Sequence, residues 1–388
     1  MPRRLLLLSS VALLAAPAAA QSPETVAFVA RLGTDTIAVE RYTRTPTEIT
    51  GVSVARSPQT TVRRYTITLG PDGAPRRFHI TLAPEGGRVM QEVTYDYASD
   101  DSVRIESRRD TTVRRRALAA SGRALPFFPD LYATWDVALH NAHEANQRFA
   151  MLGGAQLVSY AIERTGDGAV DLTNPSTDYG PLHARIDDAG HLLSLDLTAT
   201  TDKFRAERVA NLDVEALASD FAARERQGKG MGTLSPRDTA RATVGGAHVF
   251  VDYGRPSMRG RTVFGGIVPW GQVWRTGANE ATQLATDRDL DIGGTHVPAG
   301  TYSLWTIPSP DGWTLIINTQ HGQWGTEYDA ARDLARVRLA TRTLAEPVER
   351  FTIEIQPQGG GATLRLAWAD TEATAPITTD RTAGAPRE

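Results

Sequence analysis

The stretch TTVRRYTITLGPDGAPRRFHITL, residues 60–82, decides the fold class. Val62, Tyr65, Ile67 and Leu69 supply apolar side chains along its first arm, and Phe78, Ile80 and Leu82 alternate along its second. Pro71-Asp72-Gly73 lies between the arms. Strand-like alternation on either side of a Pro/Asp/Gly turn predicts an antiparallel hairpin.

The same pattern extends outward over residues 24–118. Gln91–Tyr97, Ser102–Arg108 and Thr111–Leu118 continue a meander, with turns at Ser99-Asp100-Asp101 and Asp110. Pro126–Ala145 breaks it: Pro129-Asp130 opens a helix with Leu131, Thr134, Trp135, Ala138 and Leu139 on one face. Strands resume near Arg148, and Arg185–Leu197 reads as a hairpin across Asp187-Asp188-Ala189-Gly190. Asp213–Gln227 is the best-formed helix. Asp213 caps it, Val214, Leu217, Ala218 and Phe221 share a face, and Gly228 stops it.

Gly228-Lys229-Gly230-Met231-Gly232, followed by Ser235-Pro236, punctuates the chain. Beyond it come short strands around Gly turns, at Val244–Val251, Asp287–Pro298, Gly300–Trp305, Trp313–Ile317 and across Gly359-Gly360-Gly361. Such a series predicts a β-sandwich or jelly-roll-like domain. The expected organisation is mostly β in two domains. A signal peptide covers 1–20, and an N-terminal antiparallel β-meander or open half-barrel with one or two helices covers 21–228. A linker covers 229–235, the C-terminal sandwich 236–378 and a disordered tail 379–388.

Arg3 and Arg4, the apolar run Leu5–Ala16 and the small residues Ala18-Ala19-Ala20 have the layout of a secretory signal. Cleavage near Ala20 would leave Gln21 first and export the chain to the periplasm or beyond, with no transmembrane segment in the mature form. The 388 residues contain no cysteine, which excludes disulfides, thiol catalysis and cysteine zinc sites. A net charge of -3 gives no reason to expect nucleic acid as a partner.

The densest stretch is residues 253–282. Arg255-Pro256-Ser257, Gly260-Arg261, Phe264-Gly265-Gly266-Ile267-Val268-Pro269 and Trp274-Arg275-Thr276-Gly277-Ala278-Asn279-Glu280-Ala281-Thr282 resemble the DUF2911 family. Val297–Leu304, Asn318 and Gln323-Trp324-Gly325 resemble it too, and the likeness covers about 234–378. The family consists of exported bacterial proteins without an assigned activity, so the resemblance implies a boundary and a β fold and transfers no catalytic residue.

Arginine forks bind carboxylate, sulfate or phosphate bidentately, and tryptophan faces stack on sugars and guanidinium planes. Arg255, Arg261, Trp274, Arg275, Asn279, Glu280 and Trp324 are therefore the candidate site for a small anionic ligand or a glycan. Two other readings stand beside it. In one, Glu280 is the acid/base of a periplasmic hydrolase acting on a glycan or ester. In the other, Arg275 pairs with Glu280 and Arg261 with Asp252 in a non-catalytic structural or interaction module. Trp305, Trp313 and Trp368 fit core strands, whereas Trp270, Trp274 and Trp324 fall in Gly-rich loops.

No metal is expected. His140, His143 and Glu144 lack a third ligand and the usual order, and Asp287, Asp289 and Asp291 lack the Gly and Glu of a calcium loop. No cofactor is expected either, because Walker A and dinucleotide glycine patterns are missing, as is a Gly-x-Ser-x-Gly elbow.

Overall fold

The computed structural model describes residues 22–99, 101–119, 124–145, 149–153, 156–175 and 180–379. The expected signal peptide and its cleavage site lie outside these residues, as does all of the expected tail except Thr379, which ends the last strand.

Eight strands open the chain: β1 (Glu24–Leu32), β2 (Asp35–Arg44), β3 (Glu48–Ala55), β4 (Thr61–Leu69), β5 (Pro75–Pro84), β6 (Gln91–Ser99), β7 (Ser102–Arg109) and β8 (Thr112–Ala119). Each pairs antiparallel with the next. In the β4–β5 hairpin Tyr65 faces Ile80 and Ile67 faces Phe78, as the alternation predicts.

The short β9 (Leu125–Pro126) and helix α1 (Tyr132–Ala145) follow. Then come β10 (Phe149–Gly153), β11 (Gln156–Gly166), β12 (Ala169–Thr173), β13 (Leu182–Ile186), β14 (Leu192–Asp196) and β15 (Arg205–Val209). β15 pairs with β1, so one open sheet of fifteen strands runs from β8 at one edge to β9 at the other.

Two helices cover this sheet. Leu131, Trp135, Ala138 and Leu139 of the α1 region pack with Phe28, Tyr42, Ile67 and Phe78 in the main core. Helix α2 (Val214–Arg226) covers the other face, where Val214, Ala218 and Phe221 pack with Val29, Val39, Val54 and Val62. Val62 therefore points away from Tyr65 and Ile67, because odd and even positions of a strand face opposite sides. Burial on both faces also explains why β1 reads as a nearly continuous apolar run. The α2 ends follow from its sequence: the Asp213 carboxylate accepts from the Ala216 N–H at 2.9 Å, and Gly228 takes φ 72°.

The second sheet has nine strands: β16 (Arg237–Val244), β17 (Ala247–Gly254), β18 (Thr282–Thr286), β19 (Leu290–Ile292), β20 (Thr295–Val297), β21 (Gly300–Ile307), β22 (Trp313–Asn318), β23 (Asp333–Gln358) and β24 (Gly361–Thr379). The long β23 pairs with β22 early and with β24 over most of its length, so the sheet folds over itself like a sandwich. Val249, Val251 and Tyr253 of β17 share a core with Phe351, Ile353, Leu364 and Trp368 of the β23–β24 hairpin. Tyr253 and Phe351 meet edge to face, with ring centres 5.8 Å apart.

The halves touch through two turns. The Thr34 N–H, in the β1–β2 turn, donates to the Arg259 carbonyl at 2.9 Å, and the Arg259 guanidinium pairs with Asp35. A Cβ on Gly33, at φ 63°, would lie 2.0 Å from the Arg259 oxygen, so only glycine lets these backbones approach.

Candidate functional site

Residues 255–281 form one long loop between β17 and β18. The loop bends through left-handed backbone at Arg259, Thr276 and Asn279 (φ 51°, 52° and 64°). Lys203, on the loop before β15, is left-handed too, at φ 59°. Four of the six non-glycine residues with positive φ among the described residues thus belong to these two loops. Backbone of this kind persists only where the surroundings impose it, and it collects at functional sites.

The loops meet at a cleft of about 250 Å³ between the two sheets. Arg261, Trp274, Arg275, Asn279 and Trp324 line it, together with Lys203 and Asp202 from the N-terminal half. Arg255 and Glu280, also expected at the site, do not.

Arg255 is a brace. Its Nη1 pairs with Asp238 at 2.7 Å, Nη2 donates to Thr352 Oγ1 at 2.8 Å and Nε donates to the Phe351 carbonyl at 3.1 Å. Glu280 pairs with Arg237 at 2.9 Å, and Arg237 also holds Asp252 at 2.8 Å. The pairs Arg275–Glu280 and Arg261–Asp252 are therefore replaced by Arg237 with both acids. Arg237 sits in β16, and its antiparallel register with β17 brings it near Asp252, a relation that sequence spacing does not carry.

Arg261 has a different environment. Its Nε donates to the Met258 carbonyl at 2.9 Å and its Nη2 to the Ser257 carbonyl at 2.7 Å. Burial and then the charge of Arg259 lower its pKa. Arg275 Nη1 donates to the Asn279 carbonyl at 3.3 Å, and Gly325 leaves room for it, since a Cβ there would lie 2.3 Å from Arg275 Cδ.

The aromatic residues divide as expected. Trp305, Trp313 and Trp368 are buried, while Trp270 and Trp324 are 40% exposed. Trp274 is intermediate. It stacks on Trp368 at 5.8 Å and its indole N–H donates to the Gly277 carbonyl at 3.1 Å, so it serves as the aromatic floor of the cleft.

Lys203 was not among the expected site residues. Its ammonium donates to the Thr198 carbonyl at 3.1 Å. Burial, followed by the charges of Arg275 and Arg261, lowers its pKa. Among the described lining residues Asp202 is the one carboxylate, so the cleft carries three cations and one acid. The available signal was compositional: Lys203 and Lys229 are the only lysines in the chain.

A larger cavity of about 730 Å³ lies beside α1, lined by Arg44, His140 and His191. The buried Asp136 accepts from Tyr42 Oη at 2.9 Å and from the Leu192 N–H at 2.7 Å, and pairs with Arg44. Burial works to raise the Asp136 pKa, but hydrogen bonding from His191, the charge of Arg44 and the Leu192 N–H hold it low. Nearby, the buried Glu40 accepts from Tyr65 Oη and from the N–H groups of Tyr132 and Ala133, capping α1. Desolvation pushes its pKa up to about 8.

Among the described residues no cluster of three or more His, Cys, Asp or Glu could hold a metal. The side chains of His143 and Glu144 lie outside the described residues, and His140 stacks on His191 at 4.3 Å. Asp287, Asp289 and Asp291 each accept a backbone N–H of a nearby turn, from His248, Ala299 and Gly294. No helix among the described residues is long and apolar enough to cross a membrane.

Residues 235–377 match a family model described as a protein of unknown function, DUF2911. No curated protein matches the chain. Among solved structures, a DUF1089 family protein from Pseudomonas aeruginosa aligns at 11% identity, over 48% of this chain and 94% of its own, with TM-score 0.31. A β-barrel-like DUF1849 protein from Brucella abortus aligns at 12% identity over 48% and 94%, with TM-score 0.30. A porin-like protein from Bacteroides uniformis aligns at 12% identity over 50% and 99%, with TM-score 0.17.

Proposed function

We propose that the chain is an exported protein that binds a small anion in this cleft; the DUF2911 model that residues 235–377 match has no assigned function, so the cleft itself supplies the reading. One observation carries this: Lys203, Arg261 and Arg275 converge on one small cleft whose only described lining carboxylate is Asp202. Structural arginines elsewhere in the loop meet acids, as Arg255 meets Asp238. Cations gathered around a small cleft give it a positive potential, and guanidinium forks bind oxyanions bidentately. Trp324 and the Trp274 floor add flat apolar surface for an organic body. The hydrolase reading has no such support, because Glu280 is paired with Arg237 and lies off the cleft.

A ligand that binds only the folded state raises its stability as its concentration passes Kd. Citrate is expected to raise the melting temperature of the wild type at constant ionic strength, and Arg261→Met should abolish the rise. Neutral glucose should have no effect. A shift with glucose and none with citrate would turn the reading towards a neutral glycan.

A further inference from the structure

The cleft has apolar walls as well as charge. Leu234, Ile267, Trp274 and Trp324 line it, and none of the four is fully buried. The walls belong to opposite halves. Leu234, which follows Gly232, packs against the N-terminal core, whereas Ile267 and Trp274 pack against the C-terminal one. The buried Leu32 and Trp368 also reach the lining, again one from each core. The two cores stay separate clusters, so each ends in an apolar surface on the cleft. Closely packed turns beside the cleft hold the walls in place. Leu32 precedes Gly33, whose backbone abuts the Arg259 carbonyl, and a Cβ on Gly260 would lie 2.7 Å from Thr34 Cγ2. Water between such walls is released when an apolar group takes its space, which favours binding. The faces of Trp274 and Trp324 suit a ring.

The charged end is small. Arg261 Nε and Nη2 are taken by the Met258 and Ser257 carbonyls, and Nη1 has no acceptor among the described residues. Glu349 and Asp35 act on its charge, and neither lines the cleft. Lys203 donates to the Thr198 carbonyl and lies near enough for the Arg261 charge to act on it. A carboxylate can take Nη1 on one oxygen and the ammonium on the other. At about 250 Å³ the cleft falls below the usual drug-sized range, which leaves space for one compact group behind that carboxylate.

We infer that the cleft ligand is a small monocarboxylate carrying one compact ring, its carboxylate on Arg261 and Lys203 and its ring between Leu234 of one half and Ile267 and Trp274 of the other. The inference rests on the anion-binding reading above and goes beyond it in naming the ligand class and the apolar residues that select it.

Calorimetric titration of the full chain at constant ionic strength tests it with phenylacetate, acetate, benzyl alcohol and citrate. Wild type should bind phenylacetate roughly tenfold or more tighter than acetate, the scale of burying an aromatic side chain, and tighter than benzyl alcohol, which lacks the charge. Ile267→Ala and Leu234→Ala should each weaken phenylacetate severalfold more than citrate. The two variants lie in different halves, so either one decides should the other fold poorly. Arg261→Met should abolish phenylacetate binding. Equal affinity of wild type for acetate and phenylacetate overturns the ring and leaves anion binding intact, as does binding of citrate without phenylacetate. If neither alanine variant weakens phenylacetate more than citrate, Leu234 and Ile267 do not select the ligand and the inference fails. Phenylacetate binding that survives Arg261→Met lies elsewhere and overturns it too. Benzyl alcohol binding as tightly as phenylacetate overturns the carboxylate. If neither citrate nor phenylacetate binds, the underlying reading fails with it.

Discussion

The α1 network and the inter-sheet cleft both bury charge, and they handle it in opposite ways. Asp136 is almost fully buried, yet Arg44, His191, Tyr42 and a backbone N–H surround it. Arg261 is less buried and donates to two backbone carbonyls, and burial and the charge of Arg259 lower its pKa against the opposing pull of Glu349 and Asp35. In the first region Asp136, Arg44 and Glu24 pair directly, so the network specifies where α1 sits. In the second Arg261 is held by backbone carbonyls, and the acids that act on it, Glu349 and Asp35, do not line the cleft.

That contrast has measurable edges. The largest effect belongs to Asp136. Asp136→Ala leaves the Leu192 N–H and one arm of Arg44 without their acceptor, Glu24 still holding the other arm, and is expected to cost about 3 kcal/mol in urea melts. A loss under about 1 kcal/mol would mean water already reaches the network. Next comes Arg255→Met, which removes hydrogen bonds to Asp238, Thr352 and Phe351 near the surface. It should cost about 1–2 kcal/mol, and citrate binding should persist. A variant of full stability that no longer binds citrate would place Arg255 in the site after all.

Two buried carboxylates of the first region should then show opposite pH dependence. Glu40 has a folded pKa of about 8 against an ordinary 4.5, so the folded chain keeps a proton that the unfolded chain releases between those values. Its contribution to stability falls as pH rises across that window. Asp136 is depressed below its ordinary 3.8, so its contribution is present above that value and is lost as pH falls through the folded pKa. Melts of wild type and Glu40→Gln between pH 5 and 8 should differ in slope, with the variant flatter; parallel slopes would refute the assignment to Glu40. The smallest effect is expected at Arg261. Arg261→Met should change stability by no more than about 0.5 kcal/mol or raise it, while citrate-dependent stabilisation disappears. A large loss would class Arg261 with the braces.

The sequence was legible wherever a feature was local. The β4–β5 hairpin, the capped helix α2 and the Gly245-Gly246 and Gly293-Gly294 turns follow from neighbouring residues, and both glycines of each pair take positive φ. The three buried strand tryptophans also followed from alternation. β1 was less clear, since two helices bury both its faces and remove the alternation that marks a half-buried strand. The extent of β23 was hidden for the opposite reason. Its middle, near residues 341–350, is largely exposed and carries no apolar pattern. The cleft was partly legible. Ten of its lining residues belong to the dense stretch 253–282, but Lys203 comes from a loop of the N-terminal sheet that no local pattern ties to it. Glu280 and Arg275 lie five positions apart and suggested a pair, whereas β17 pairs with β16 on one side and β18 on the other, and Arg237 meets Glu280 as well as Asp252.

The joining of β15 to β1 also bears on how the chain reaches its native state. These strands pair Ala27 with Val209 and Arg31 with Arg205, across most of the N-terminal half. A chain that emerges from its N-terminus can zip β1 through β8 hairpin by hairpin, each closing a short loop. The edge of β1 must then wait until residue 209 has appeared. During that wait β1 presents a row of unpaired amides beside apolar side chains, the surface on which other strands nucleate aggregates. A meander complete along one edge and open along the other is the form in which that row of amides is exposed.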